Sequence, residues 1–125
     1  MTVLIDSWAW IEYWRGAAHS REAAGYIDGD EEALASPINL AEVYYWFLRE
    51  YDRRTADERR NVLERRCRVV PLEGDLAVAA AHLRKDEHLS LADSIILATA
   101  RESGASLVTG DPDLRGKRGV VFIGA

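Results

Sequence analysis

Short apolar runs alternate along the chain with longer stretches in which apolar positions recur every three or four residues. The first pattern reads as buried strands and the second as helices with one buried face. Val3-Leu4-Ile5 predicts a strand that stops at Asp6. A helix from Trp8 to Arg15 is predicted to follow and to end at Gly16, and another spans about Ser20–Ile27, closed by Gly29. Ala33–Ser36 is a weak strand halted by Pro37. Helices are expected from about Leu40 to Tyr51 and from Ala56 to Arg66, then a strand at Arg68–Pro71. Two more helices, about Asp75–Lys85 and Leu91–Ser103, precede strands at Ser106–Thr109 and Val120–Ile123. Strands this short and apolar, alternating with helices, predict a parallel sheet covered on both faces. Ligands of such sheets bind beyond the carboxyl ends of the strands. That rule directs attention to Asp6 and to Asp111, each just past a strand.

Length and composition narrow the picture. The chain has 125 residues, 48% of them hydrophobic, which suits one domain over residues 1–125. A single cysteine, Cys67, excludes an intrachain disulfide, fits a cytoplasmic setting, and reads as a small apolar strand residue. No apolar run approaches the roughly 20 residues of a membrane span, and the first residues lack the basic start of a signal peptide. The net charge of −5 is unusual for a nucleic-acid binder. Its distribution is uneven, with eight arginines against five acids between Arg49 and Arg68 and a second basic group at Arg115, Lys117 and Arg118. A solvated helix face and a charged loop account for these groups as well as an RNA contact does.

Four acids occupy positions where an acid is locally out of place. Asp6 ends an apolar strand, Glu42 sits between Ala41 and Val43, Asp93 lies in Leu91-Ala92-Asp93-Ser94-Ile95-Ile96, and Asp111 follows Val108-Thr109-Gly110. Each has a structural explanation. Asp6 can cap a helix; Asn39-x-x-Glu42 and Ser90-x-x-Asp93 look like capping boxes; Asp111-Pro112-Asp113 can be a turn. They lie far apart in sequence, so only the fold can gather them. If gathered, they cannot all stay ionised without a cation. Oxygen donors with no cysteine and no suitably spaced histidine select Mg²⁺ or Mn²⁺. Such an ion activates water and polarises a phosphoryl oxygen, so phosphodiester hydrolysis is the natural chemistry.

At these residues the chain resembles the PIN-domain ribonucleases, and among them the VapC-type toxins of prokaryotic toxin–antitoxin pairs. The stretches that carry the resemblance are Val3-Leu4-Ile5-Asp6-Ser7, Ser36-Pro37-Ile38-Asn39-Leu40-Ala41-Glu42-Val43, Leu91-Ala92-Asp93-Ser94-Ile95-Ile96-Leu97-Ala98-Thr99-Ala100 and Leu107-Val108-Thr109-Gly110-Asp111-Pro112-Asp113-Leu114. The resemblance implies a three-layer α/β/α sandwich around a five-stranded parallel sheet. It implies Mg²⁺- or Mn²⁺-dependent endoribonuclease activity, homodimers, and an antitoxin that brings a basic side chain to the carboxylates. It makes Asp6, Glu42, Asp93 and Asp111 the catalytic and metal-binding acids, with Asp6 and Asp93 as direct ligands. Ser7, Thr109 and Asp113 become auxiliary groups. In-line attack by activated water would leave a 5′-phosphate and a 3′-hydroxyl. Arg115, Lys117 and Arg118 are the expected RNA contacts. One departure is the first helix, Trp8-Ala9-Trp10-Ile11-Glu12-Tyr13-Trp14, bulkier than is usual in that family.

Other readings are weaker or remain open. A phosphatase of the haloacid dehalogenase type needs a second Asp where this chain has Trp8. No Gly-x-Ser-x-Gly or phosphate-cradling glycine loop is present. A housekeeping RNA-processing nuclease and a non-catalytic interaction module stay open. Trp10, Tyr13 and Trp14 share one helical face and read mainly as core. Tyr44 to Phe47 cannot all be buried by one helix. His19, His82 and His88 have no ligand spacing.

Overall fold

The computed structural model describes residues 1–125. Its central strand is the first along these residues, β1 (Thr2–Ile5). Around it the sheet runs β3-β2-β1-β4-β5, with β2 (Glu32–Ala35), β3 (Arg68–Val69), β4 (Ser106–Thr109) and β5 (Val120–Phe122), all pairs parallel. Side chains alternate across the sheet as period-two geometry demands. Val3, Ile5, Ala33, Ala35 and Val108 face one layer, and Leu4, Leu34 and Leu107 face the other.

Helices α1 (Ser7–Arg15), α2 (Ser20–Ile27), α3 (Pro37–Glu50) and α4 (Arg53–Arg66) cover the first face, through Ala9, Trp10, Ile27, Val43, Phe47 and Leu63. Helices α5 (Gly74–Glu87) and α6 (Leu91–Glu102) cover the second, through Leu83, Ile96 and Leu97. This is the three-layer sandwich expected from the resemblance. The chain adds β2 and β3 on one side of β1, then returns to add β4 and β5 on the other. The order therefore reverses between β1 and β4, and a crevice opens there beyond their carboxyl ends.

Several boundaries move from their expected places for local reasons. Helix α3 begins at Pro37, before the expected Leu40, because Ser36 rather than Asn39 caps it. The Ile38 N–H donates to Ser36 Oγ at 3.1 Å, and the Ser36 N–H donates to Asn39 Oδ1 at 2.9 Å. Proline is favoured at such a first position. Asp52 caps α4 by accepting from the Thr55 N–H, which starts that helix before Ala56. Strand β3 is only two residues long, and Cys67 is the buried residue ending α4, ahead of that strand. Gly16 ends α1 in the left-handed conformation, φ 60°, as the sequence suggested.

The arginine-rich stretch is mostly engaged within the fold. Arg53, Arg54 and Arg60 pair with acids one turn on. The Arg59 guanidinium lies 5.0 Å from the Trp14 ring centre and 5.1 Å from that of Phe47. The Arg66 guanidinium donates to the carbonyls of Tyr26, Ile27 and Glu31 at 2.8–2.9 Å, closing the end of α2. No helix is long and apolar enough to cross a membrane.

Candidate metal centre and nuclease site

Asp6 stands at the carboxyl end of β1 and at the N-cap position of α1, yet its side chain caps nothing. Its two oxygens face inward instead. Oδ2 accepts from Thr109 Oγ1 at 2.6 Å, and Oδ1 accepts from Asn39 Nδ2 at 3.1 Å. The capping explanation of Asp6 therefore fails. The carboxylate is 4% exposed, and that depth decides its ionisation. Burial pushes its pKa up to about 7; the Thr109 hydroxyl bond opposes this, and the nearby charges of Glu42 and Asp93 add to it.

Asn39 organises the neighbourhood. Its oxygen is fixed by the Ser36 N–H, so its NH₂ must point at the site. There it donates to Asp6 and, at 2.9 Å, to Ser7 Oγ. Ser7 Oγ in turn donates to Glu42 Oε1 at 2.6 Å. Thr109 Oγ1, while donating to Asp6, accepts from the Asp111 N–H at 3.0 Å. One hydrogen-bonded chain thus links Glu42, Ser7, Asn39, Asp6, Thr109 and the Asp111 backbone across α3, α1, β1 and β4. Sequence reasoning treated Asn39 only as a helix cap. The signal that could have found it is a polar residue between Ile38 and Leu40 on a helix start already capped by Ser36.

Asp93 enters from the first turn of α6, where its N–H is bonded by Ser90 Oγ at 3.1 Å. Its carboxyl is half-buried and is pushed up to about 6, first by burial, then by the charge of Asp111, with Glu42 and Asp113 adding to it and the Ser90 bond opposing. Asp111 and Asp113 form the turn foreseen from the sequence, with the Asp113 N–H donating to Asp111 Oδ1 at 3.0 Å. Carboxylate oxygens of Asp93, Asp111 and Asp113 all lie within 4.8 Å of one another.

Asp6, Glu42, Asp93 and Asp111 line one cleft of about 350 Å³, together with Ser7, Trp8, Ile11, Tyr45 and Trp46. Every ion pair of the molecule involves other residues, so these carboxylates have no protein cation among them. An all-oxygen, electron-rich donor set with one deeply buried member fits a hard divalent cation. Gly110 lets the wall close up, since a Cβ there would collide with the Trp8 ring.

The expected RNA-contacting residues are placed apart from this cleft's lining. Arg115 lies over Phe122, 4.5 Å to the ring centre, and bonds the Ala125 carbonyl. Lys117 Nζ donates to the Glu87 carbonyl at 3.2 Å. Arg118 is exposed, and its carbonyl accepts from Arg101. Arg101 also pairs with the Glu87 carboxylate, so the segment bearing Asp111 and Asp113 is clipped to α5 and α6.

Residues 3–119 match the sequence family described as the PIN domain. A search of curated protein sequences returns no match. Among solved structures the chain is similar to a chain of a toxin–antitoxin complex from Klebsiella pneumoniae, TM-score 0.78 and 24% identity over 95% of each chain. It is also similar to Mycobacterium tuberculosis VapC20, described as a toxin cleaving the sarcin–ricin loop, TM-score 0.77 and 22% identity over 94% of this chain and 96% of that one. A third is a chain of DNA-bound VapBC from Salmonella typhimurium, TM-score 0.74 and 16% identity over 98% and 96%. At these identities the structural likeness is one of fold.

Proposed function

The chain belongs to the PIN-domain family, and from that premise we propose that residues 1–125 act as one Mg²⁺- or Mn²⁺-dependent endoribonuclease, the toxin of a toxin–antitoxin pair. The observation that carries this reading is the gathering of Asp6, Glu42, Asp93 and Asp111 in one cleft without a protein cation. Asp6 and Asp93 would hold the ion, with Glu42 and Asp111 direct or through water and Asp113, grouped with Asp93 and Asp111, as an auxiliary acid. When bound, a divalent cation makes a water acidic and polarises a phosphoryl oxygen. The chain's own residues do the positioning. Thr109 and Asn39 hold both oxygens of Asp6 in a fixed plane, and Ser7 holds Glu42. Fixed carboxylates cost no reorganisation when charge develops on the phosphate. Arg115 and Arg118, on the segment after Asp111, are candidates for phosphate contact; Lys117 is tied to Glu87.

The toxin role, an antitoxin partner, a homodimer and a cytoplasmic location belong to the same reading. Uncompensated carboxylates suit the basic side chain of an antitoxin, and the exposed Leu48 and Tyr51 of the α3 end suit a protein partner. Incubation of single-stranded RNA with the protein tests the chemistry. Cleavage is expected with Mg²⁺ or Mn²⁺, none with EDTA, and none by Asp6→Asn protein that keeps its native circular dichroism. Cleavage persisting in EDTA overturns it. The toxin role is read separately, as growth arrest on expression that the product of a neighbouring small gene relieves. Cleavage without arrest would favour an RNA-processing role.

A further inference from the structure

We infer that the groove between α1 and α3, where it leaves the acidic cleft, is a stacking platform for an unpaired base of single-stranded RNA. Trp8 and Tyr45 supply the rings, and Arg15 and Arg49 the phosphate contacts. The inference rests on the nuclease reading and names how that site grips its substrate. Trp8, Ile11 and Arg15 repeat along one face of α1, and Glu42, Tyr45, Trp46 and Arg49 along one face of α3. Both stripes begin at the acids, and Trp8, Ile11, Tyr45 and Trp46 share the cleft lining with them. The Trp8 ring is held in advance of any ligand, pressed against Gly110 and 6.2 Å from the His19 ring. Tyr45 is 60% exposed, so its ring is open to a ligand.

The guanidinium groups extend the same strip. Arg15 Cζ lies 6.0 Å from the Trp46 ring centre, and Arg49 Cζ lies 5.5 Å from that of Tyr45. Arg15 has no acidic partner, and Arg49 has only its exposed neighbour Glu50 at 3.2 Å. Such an exposed pair is weak and exchanges readily for a phosphate. Charge favours this occupant's mode of binding. A chain of net charge −5 repels a polyanion, so affinity must come largely from contacts that do not depend on charge. Base stacking on aromatic rings is such a contact, and it needs an unpaired base with a free face.

Fluorescence anisotropy with a short labelled single-stranded RNA tests this in an Asp6→Asn background, where binding is read without cleavage. Tyr45→Ala is expected to weaken binding by about tenfold or more, and Tyr45→Phe to retain it. On an RNA made abasic beside the cleavage position, Tyr45→Ala should cost nothing further. An unchanged affinity in Tyr45→Ala, or an equal loss on the abasic RNA, overturns the inference. So does a Tyr45→Ala protein that binds RNA normally but loses an antitoxin, which would make the strip a protein surface. Wild-type protein that cleaves no RNA under any divalent ion would sink the nuclease reading instead, while the Tyr45 dependence of binding stands or falls on its own.

Discussion

Asp6 shows how far one side chain's behaviour departs from its sequence context. In the metal-free fold its carboxyl titrates at about 7, and that of Asp93 at about 6, both above the ordinary 3.8. Between those limits the folded protein keeps protons that the unfolded chain has released, so stability falls as pH rises from about 4 to 7. A divalent cation favours the ionised forms and reverses the loss. Thermal denaturation should therefore show metal-free protein melting higher at pH 5.5 than at pH 8, and Mg²⁺ or Mn²⁺ raising the melting temperature more at pH 8. A metal effect equal at both pH values would contradict the placement of these charges. Asn39 is the second test at this scale. Asn39→Ala leaves the Ser36 N–H unpaired and frees Asp6 and Ser7, at a cost of about 3 kcal/mol by denaturant unfolding. Metal affinity by calorimetry should drop roughly tenfold or more, as for other groups that orient ligands. Glu42 and Asp93 could be singled out in the sequence by their apolar flanks, and Asp6 and Asp111 by their places just past a strand. Asn39 also sits between apolar residues, but its task is set by Asp6 and Ser7, which reach it only after α3 docks beside β1.

At the level of elements, hydrophobic spacing located all the helices and strands but not all their ends. Ends are set by single side chains, such as Ser36 before Pro37, and those bonds leave no periodic trace. The arginine-rich stretch was ambiguous for a related reason. Periodicity marks Arg53 to Arg66 as a polar helix face, but it does not distinguish a guanidinium in solvent from one driven into another helix's end. Arg66 is the latter. Arg66→Ala removes two bonds to the terminal carbonyls of α2 and one to the Glu31 carbonyl beyond it, and a loss of about 2–3 kcal/mol in chemical denaturation is expected. Arg66→Lys should recover only part of this, since an ammonium cannot span three carbonyls as the planar fork does. Full recovery by lysine would reduce Arg66 to a simple charge.

For the molecule as a whole, the acidic balance and the clipped segment around Asp111 would set the terms of the proposed RNA binding. If Arg115 and Arg118 each meet a phosphate, neutralising both should lower the slope of log affinity against log salt by about 1.4. Lys117→Ala should leave the slope nearly unchanged and act through the Glu87 clip, weakening metal binding instead. Titrations at several salt concentrations separate the two outcomes. The three-layer architecture was legible in advance because parallel strands must be covered on both faces. The gathering of the acids was expected from the resemblance and not from periodicity, because it depends on which strands become neighbours.

That neighbour relation fixes the order in which the protein can become active during synthesis. β1 leaves the ribosome long before β4, its flank at the site, and Thr109 meets Asp6 across 103 residues of chain. A nascent chain lacking β4 carries Asp6 and Glu42 with neither Thr109 nor Asp111 beside them, and pairings this distant in sequence form slowly. A chain with the proposed nuclease activity would therefore stay silent until β4 is made, and a ribosome-stalled chain ending before Ser106 should cleave no RNA where the released chain does. Under the proposed toxin reading, topology delays the activity, which gives a separately made inhibitor an interval in which to be present before the site closes.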